Sequence, residues 1–407
     1  MSRRNDLLKE IVGQHWPDVL RSNPRFNTLW HRRVVGNTLR CGDADRMGFA
    51  KYRCTRCGQT RLVSFTCKTQ FCPTCAKRRA LEWSEFIASR LLPGMRYRQV
   101  ILTVPEELRV HCRNPKLLGE LLRIAHRTLA EVFRKNTRRK DLEIGTIAVL
   151  HSQGRAGNLH LHVHVLVTLG GIGRDGRMYR STVPSYPLFR KVWGEALLRM
   201  VSQNVDDLKI HATVEELRRR HPGGFFVRVE NKEIGHGERR TARYISKYLG
   251  APIISPNRII YYDGKNVRYR YWDFTSNKVA TRTMAARDFV AQMVEHILPK
   301  SFIRIRHAGL HSNRRYTIAR EQITRRQASS QSAELPHRRR RIPYRALLLN
   351  LCGRDPLVCR ECNNEMELEI LWHPDLGFIR DRWEDLVEFI RTDEGFIVPR
   401  APPGLAG

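Results

Sequence analysis

Asn158-Leu159-His160-Leu161-His162-Val163-His164-Val165-Leu166-Val167 is the stretch on which the fold turns. Successive side chains of a β-strand point to opposite faces, so His160, His162 and His164 share one face while Leu161, Val163 and Val165 share the other. A lone histidine on such a strand is usually a satisfied core or surface residue. Burying several unpaired imidazoles is costly, and a divalent metal site explains them better. A hydrolytic zinc centre would suit the same three side chains.

Strand-like runs surround this segment at residues 98–104, 144–150, 225–229, 259–262 and 267–272, with helical stretches between them near 116–136, 187–203 and 284–297. The pattern predicts an α+β class, with an antiparallel sheet flanked by helices. Upstream, Leu7, Leu8, Ile11, Val12, Trp16, Val19 and Leu20 recur at helical spacing, so residues 5–40 read as one or two amphipathic helices. From Cys41 to about Arg79 the elements shorten and cysteines accumulate. Downstream, Ala328-Ser329-Ser330-Gln331-Ser332-Ala333, Pro336 and the run Arg338 to Arg341 read as a linker ahead of a short C-terminal unit. Three consecutive domains are expected: 1–92, 93–325 and 326–407.

Cys54-x2-Cys57 and Cys72-x2-Cys75 are two knuckles at nearly the spacing of a closed zinc site. Each puts two thiolates on one tight turn, and two turns make a tetrahedron with no open position. The expectation is one structural Zn2+ on Cys54, Cys57, Cys72 and Cys75, in a small zinc-ribbon-like domain; Cys41 and Cys67 could substitute for a ligand or be buried as small apolar groups. The C-terminal Cys359-x2-Cys362 is half a site, which Cys352 and His373 could complete. A metal-free reduced pair is about as good a reading.

The 407 residues carry 73 Lys+Arg against 40 Asp+Glu, a formal charge of +33. Basic clusters recur along the whole chain, at Arg138-Arg139-Lys140, Arg218-Arg219-Arg220 and Arg314-Arg315 among others. Any one cluster is commonly a solvated face, but the overall imbalance points to nucleic acid as partner. No stretch approaches the ~18 consecutive apolar residues of a membrane span, and the start lacks the apolar run of a signal peptide. The expected location is the cytosol or the nucleoid, with no membrane partner and with oligomeric state left open.

Arg243-Tyr244-Ile245-Ser246-Lys247-Tyr248 places two tyrosines at i and i+4, on one face of a helix. Such pairs are more often core packing. Here Arg243 and Lys247 flank them, and nearby cations favour the phenolate that a nucleophile needs. Tyr269, Tyr271 and Trp272 could stack on bases or be ordinary strand core.

His162-Val163-His164, the downstream Tyr-x3-Tyr and the upstream knuckles together resemble the rolling-circle insertion-sequence transposases of the two-tyrosine HUH class (the IS91 type). The resemblance extends over most of the chain and takes in residues 97–105, Val149 to Gly154, and Leu298 to Gly309. It implies an HUH-type antiparallel sheet preceded by a zinc-binding domain. It also implies that His162 and His164 hold Mg2+ or Mn2+, that Tyr244 and Tyr248 are the nucleophiles, and that Arg243, Lys247, Arg304 and Arg306 meet DNA. The third ligand varies in that class, leaving His160, His151 and Gln153 as candidates. The implied activity is nicking of single-stranded DNA at element ends through a 5′-phosphotyrosine, with transfer to a target. A non-catalytic zinc-dependent DNA-binding regulator and a replication-initiator nickase are the alternatives.

Overall fold

The computed structural model describes residues 3–231, 252–273, 276–327, 345, 349, 355, 357–381, 389–391 and 397–399. Tyr244, Tyr248, Arg243, Lys247 and Cys352 lie outside the described residues. The class is α+β, as the alternation of strand-like and helical runs predicts. The chain forms two units: residues 1–82 together with 340–407, and residues 83–339. The first and third of the three segments expected from sequence are therefore one unit, because the N-terminal hairpin takes a strand from the far end of the chain.

In that first unit, helices Arg3–Ser22 and Leu29–Arg40 bury Leu8, Ile11, Val12 and Val19 on one side and Val34 and Val35 on the other. Thr28 caps the second, its hydroxyl accepting the His31 amide. Strands β1 (Phe49–Cys54) and β2 (Thr60–Ser64) form an antiparallel hairpin. The free edge of β1 pairs with Met366–His373, which pairs in turn with Gly377–Asp381. Buried Glu369 ties the two distant segments together by ion pairs to Lys51, at 3.0 Å, and to Arg53.

The second unit is built on six strands: β3 (Tyr97–Thr103), β4 (Glu143–Gln153), β5 (Leu159–Ile172), β6 (Met178–Arg180), β7 (Val227–Val229) and, further along, Ile305–Gly309. The order is Ile305–Gly309, β4, β5, β3, β7, with β6 beside β5, and every pairing is antiparallel. Helices Pro115–Thr137, Tyr186–Asn204 and Leu208–Arg220 cover one face, where Leu121, Phe133 and Trp193 meet Leu150, Leu161, Val163 and Val165. Helix Pro115–Thr137 forms because apolar residues fall at 117, 118, 121, 122, 125, 129, 132 and 133. Asn114 caps its start and Pro115 opens its first turn. On the opposite face Tyr97, Ile147, Val149 and Leu166 pack against Leu91, Leu92, Leu310 and Ile323. A separate three-stranded sheet, β8 (Ile259–Tyr262), β9 (Asn266–Asp273) and β10 (Lys278–Ala285), follows.

The β4–β5 turn is clamped from outside. Tyr269 Oη and Gln292 Nε2 both donate to the Ala156 carbonyl, at 2.7 and 2.9 Å, and His296 Nε2 lies 2.8 Å from the Gly157 carbonyl. Gly157 has φ +81°, which disfavours any side chain there. This turn sets the register that brings β4 and β5 residues face to face.

Three histidines of this unit that lie away from the cluster described below predict an acid limit. Burial lowers His126 to about 4, reinforced by Arg134; it lowers His296 to about 4 and His311 to about 3. Their folded values lie below the unfolded value of about 6.5, so protons favour the unfolded chain. The stability they confer is complete above about pH 6.5 and is lost as pH falls toward 4. Thermal melts across that window are expected to show Tm dropping steadily below pH 6.5 and flat above it.

Candidate metal and phosphate site

His162 and His164 stand two apart on β5, the central strand, and the ladder places His151 of β4 opposite His162. The donor nitrogens of these three imidazoles lie within 4.8 Å of one another. The Nε2 atoms of His162 and His164 are 3.1 Å apart, and the rings of His151 and His164 are 4.4 Å apart between centroids.

Hydrogen bonds orient the rings. His162 Nδ1 is 2.7 Å from the His160 carbonyl. A carbonyl only accepts, so Nδ1 carries the proton and the Nε2 lone pair faces the cluster. His164 Nδ1 is 2.7 Å from the side-chain amide of Gln99, on β3. As placed, the Gln99 Nε2 donates to Nδ1, so His164 Nε2–H points to the His162 Nε2 lone pair; turning the amide over would present its oxygen to Nδ1–H and free the His164 Nε2 lone pair for a metal. Burial lowers His162 to about 4 and holds His164 well below the usual imidazole range, with His162 and Arg304 adding to the effect on His164. Near neutral pH these rings are uncharged donors, the form in which imidazole binds metal.

His160 does not join the group; His151 takes the third place. Between His151–His162 and Gln153–Leu159 the β4–β5 register slips by one residue, and such a bulge ends the strict alternation that put His160 in line. The His160 ring packs instead at 5.2 Å from that of His162, and burial, followed by the Arg109 charge, lowers it to about 4. Gln153 is used elsewhere, donating to the Pro252 carbonyl.

Two arginines bring positive charge to the cluster. Arg304 acts on His164. Arg109, which the sequence did not single out, acts on both His160 and His162; its side chain is 12% exposed and donates to the Val104 and Leu159 carbonyls. Arg306 is placed differently: it pairs across the ladder with Ala148, is held down by burial, and feels the Arg123 charge. Tyr269 is core, 1% exposed, whereas Trp272 is exposed. On the same solvent-facing side of β9 stand Arg268 and Arg270, with Tyr261 of β8 opposite Arg268.

The cysteines regroup relative to the sequence expectation. Cys72 and Cys75 join Cys41 and Cys67, with Cys75 Sγ 3.7 Å from Cys41 and 3.6 Å from Cys67. Cys54 and Cys57 join Cys359 and Cys362. The four-thiolate site on Cys54, Cys57, Cys72 and Cys75 is thus two sites, since each knuckle meets a different pair. His373 is not part of either; its Nδ1 accepts the Asp375 amide at 3.1 Å. Among the described residues every cysteine is free of disulfide.

Removing the Gln99 amide tests its hold on His164. Gln99→Leu keeps the size of a buried side chain but frees the ring to turn. Loss of such an orienting partner costs about 10–100-fold in metal affinity. Manganese titration followed by calorimetry is expected to show that loss, together with a modest drop in Tm because the buried His164 Nδ1 loses its partner at a cost of about 1–3 kcal/mol.

Residues 11–104 match a family model described as "Transposase zinc-binding domain", and residues 145–317 match one described as "Putative transposase". The "Transposase for insertion sequence element IS801" of Pseudomonas savastanoi pv. phaseolicola is 28% identical over 69% of this chain and 70% of its own length. The "Putative transposase y4qJ" of Sinorhizobium fredii is 25% identical over 74% of this chain and 80% of its own. No solved structure matches. No helix among the described residues is long and apolar enough to cross a membrane.

Proposed function

Since this chain belongs to the IS91-type rolling-circle insertion-sequence transposases with an N-terminal zinc-binding domain, we propose that it nicks single-stranded DNA at element ends through a 5′-phosphotyrosine and rejoins the strand elsewhere. The observation that carries the reading is the convergence of three imidazoles, His151 on β4 and His162 and His164 on the central strand β5 of an antiparallel sheet. Three nitrogen donors without a carboxylate fit a divalent cation and leave positions for phosphate oxygens. Mg2+ or Mn2+ bound there would draw charge from a non-bridging oxygen of the scissile phosphate.

The chain's own groups do the rest. Arg109 and Arg304 supply positive charge beside the histidines, where an incoming phosphate needs it. Tyr244 or Tyr248 gives up its phenolic proton and attacks phosphorus in line. The new bond joins tyrosine oxygen to phosphorus; the bond to the 3′ oxygen breaks, and that oxygen leaves as a free 3′-OH. Attack by a 3′-OH on the phosphotyrosine reverses the step and seals a new junction. The bond energy is kept in the covalent link, so no nucleotide is consumed. A second tyrosine allows a second cleavage while the first end is still held.

Zinc belongs to the N-terminal domain, where Cys41, Cys67, Cys72 and Cys75 would hold it as a closed structural site. The exposed side of β9, with Arg268, Arg270 and Trp272, offers cations and an aromatic face along which single-stranded DNA could run.

Incubating the protein with labelled single-stranded DNA from element ends and Mn2+, then denaturing it, should retain label on the protein. Cleavage that leaves no label on protein would replace the tyrosine mechanism with direct hydrolysis.

A further inference from the structure

We infer that Cys54, Cys57, Cys359 and Cys362 form a second structural zinc site, one whose two halves come from opposite ends of the chain. The transposase zinc-binding match ends at residue 104, so half of this site lies outside it. The argument is geometric and independent of the nicking reaction.

The sulfurs are spaced for a tetrahedral ion. Cys54 Sγ is 3.4 Å from Cys362 Sγ, and Cys57 Sγ is 3.5 Å from both Cys359 and Cys362. With zinc–sulfur bonds of about 2.3 Å, a tetrahedron has sulfur–sulfur edges of about 3.8 Å. A disulfide would require about 2.05 Å. The same spacing, 3.6 and 3.7 Å, recurs in the Cys41 cluster.

The two knuckles are built alike, although nothing in the sequence between them repeats. The Cys54 amide donates to the Gln59 carbonyl at 2.8 Å, and the Gly58 amide returns to the Cys54 carbonyl at 3.0 Å. At the other end the Cys359 amide donates to Asn364 at 2.8 Å, and the Asn363 amide returns to Cys359 at 3.1 Å. Gly58 and Asn363 occupy equivalent places, and both are left-handed, with φ +73° and +58°. Glycine and asparagine are the residues that accept this conformation at least cost. Each turn thereby presents two sulfurs from one tight loop, and the loops face each other. A cross-link outside the sulfurs fixes their approach: Asn364 Nδ2 donates to Thr55 Oγ1 at 3.0 Å.

The site sits where the ladder between β1 and Met366–His373 begins, since Cys54 pairs with Met366. The ion would therefore clasp the start of an inter-segment sheet that continues through the Glu369 ion pairs to the stacked rings of Phe49 and Trp372. Its role is to hold residues from both sides of the catalytic unit in one folded body.

Metal analysis of the full-length protein, purified with zinc in the medium and carrying His162→Ala in every sample so that the histidine cluster takes no zinc, decides the matter. The expected result is two zinc ions per chain. Cys359→Ser/Cys362→Ser and Cys54→Ser should each retain one, and Cys41→Ser/Cys72→Ser should retain the other one. With the histidine cluster disabled, a count of one when all cysteines are intact, or two in Cys359→Ser/Cys362→Ser, would overturn the site. A measurement on the unaltered protein guards against misfolded variants. Cys57 is exposed, so a free thiol there would react with N-ethylmaleimide at once. Peptide mapping should find Cys57, Cys359 and Cys362 unmodified until a strong chelator is added. Immediate modification, or a disulfide among them, overturns the proposal.

Discussion

Replacing His162 by alanine is expected to lower single-strand nicking on the order of 10³-fold, the scale of losing a preorganised charge-stabilising group, while DNA affinity changes by less than about threefold. The separation follows from where the two functions sit. Positive charge is spread along the chain, and contacts to phosphate elsewhere dominate binding. The three imidazole nitrogens, by contrast, are one small cluster with a single geometry. His164→Ala and His151→Ala are expected to follow His162→Ala, and His160→Ala to be much milder because its ring stands outside the group. Nicking assays beside fluorescence anisotropy at one salt concentration give both numbers. If His160→Ala equals His162→Ala in its effect while His151→Ala is mild, the grouping of ligands proposed here is wrong.

The second large effect concerns the tyrosines. Tyr244→Phe/Tyr248→Phe is expected to form no covalent adduct at all, since phenylalanine keeps the ring but lacks the attacking oxygen. Each single variant is expected to keep some nicking, because one nucleophile remains, and to lose strand transfer far more than nicking. Digesting the adduct and sequencing the DNA-bearing peptide identifies the attacking side chain. An adduct on another residue would move the reaction away from Arg243-Tyr244-Ile245-Ser246-Lys247-Tyr248.

Short-range pattern made much of the unit formed by residues 83–339 legible. Alternation across residues 159–167 marked β5 with its apolar face against the helices, and the 3.6-residue spacing near 116–136 marked the helix that covers it. Where the reading departed, the cause was a partner distant in the chain or a local irregularity. Two C-x2-C knuckles look equivalent in sequence, and nothing in either says which thiolates it faces; the answer lies in the pairing of β1 with a strand after residue 365. His160 followed the period-two rule until a bulge broke it. Gln99 reads as an ordinary strand residue, 65 positions from the ring it touches. Arg109 belongs to a helical turn of four residues with no periodicity to notice.

The pairing of β1 with Met366–His373 also bears on how the protein is made. Arg53 and its ion-pair partner Glu369 are 316 positions apart, so at about 5–20 residues per second the ribosome delivers the second strand roughly 15–60 s after the first. Through that interval β1 presents an open edge, the kind of backbone template that neighbouring chains can occupy. On a polysome the nearest supply of the missing strand is a copy further advanced along the same message. Strand exchange between such copies would yield interlocked dimers, and slow synthesis should increase their share relative to protein refolded in dilute solution.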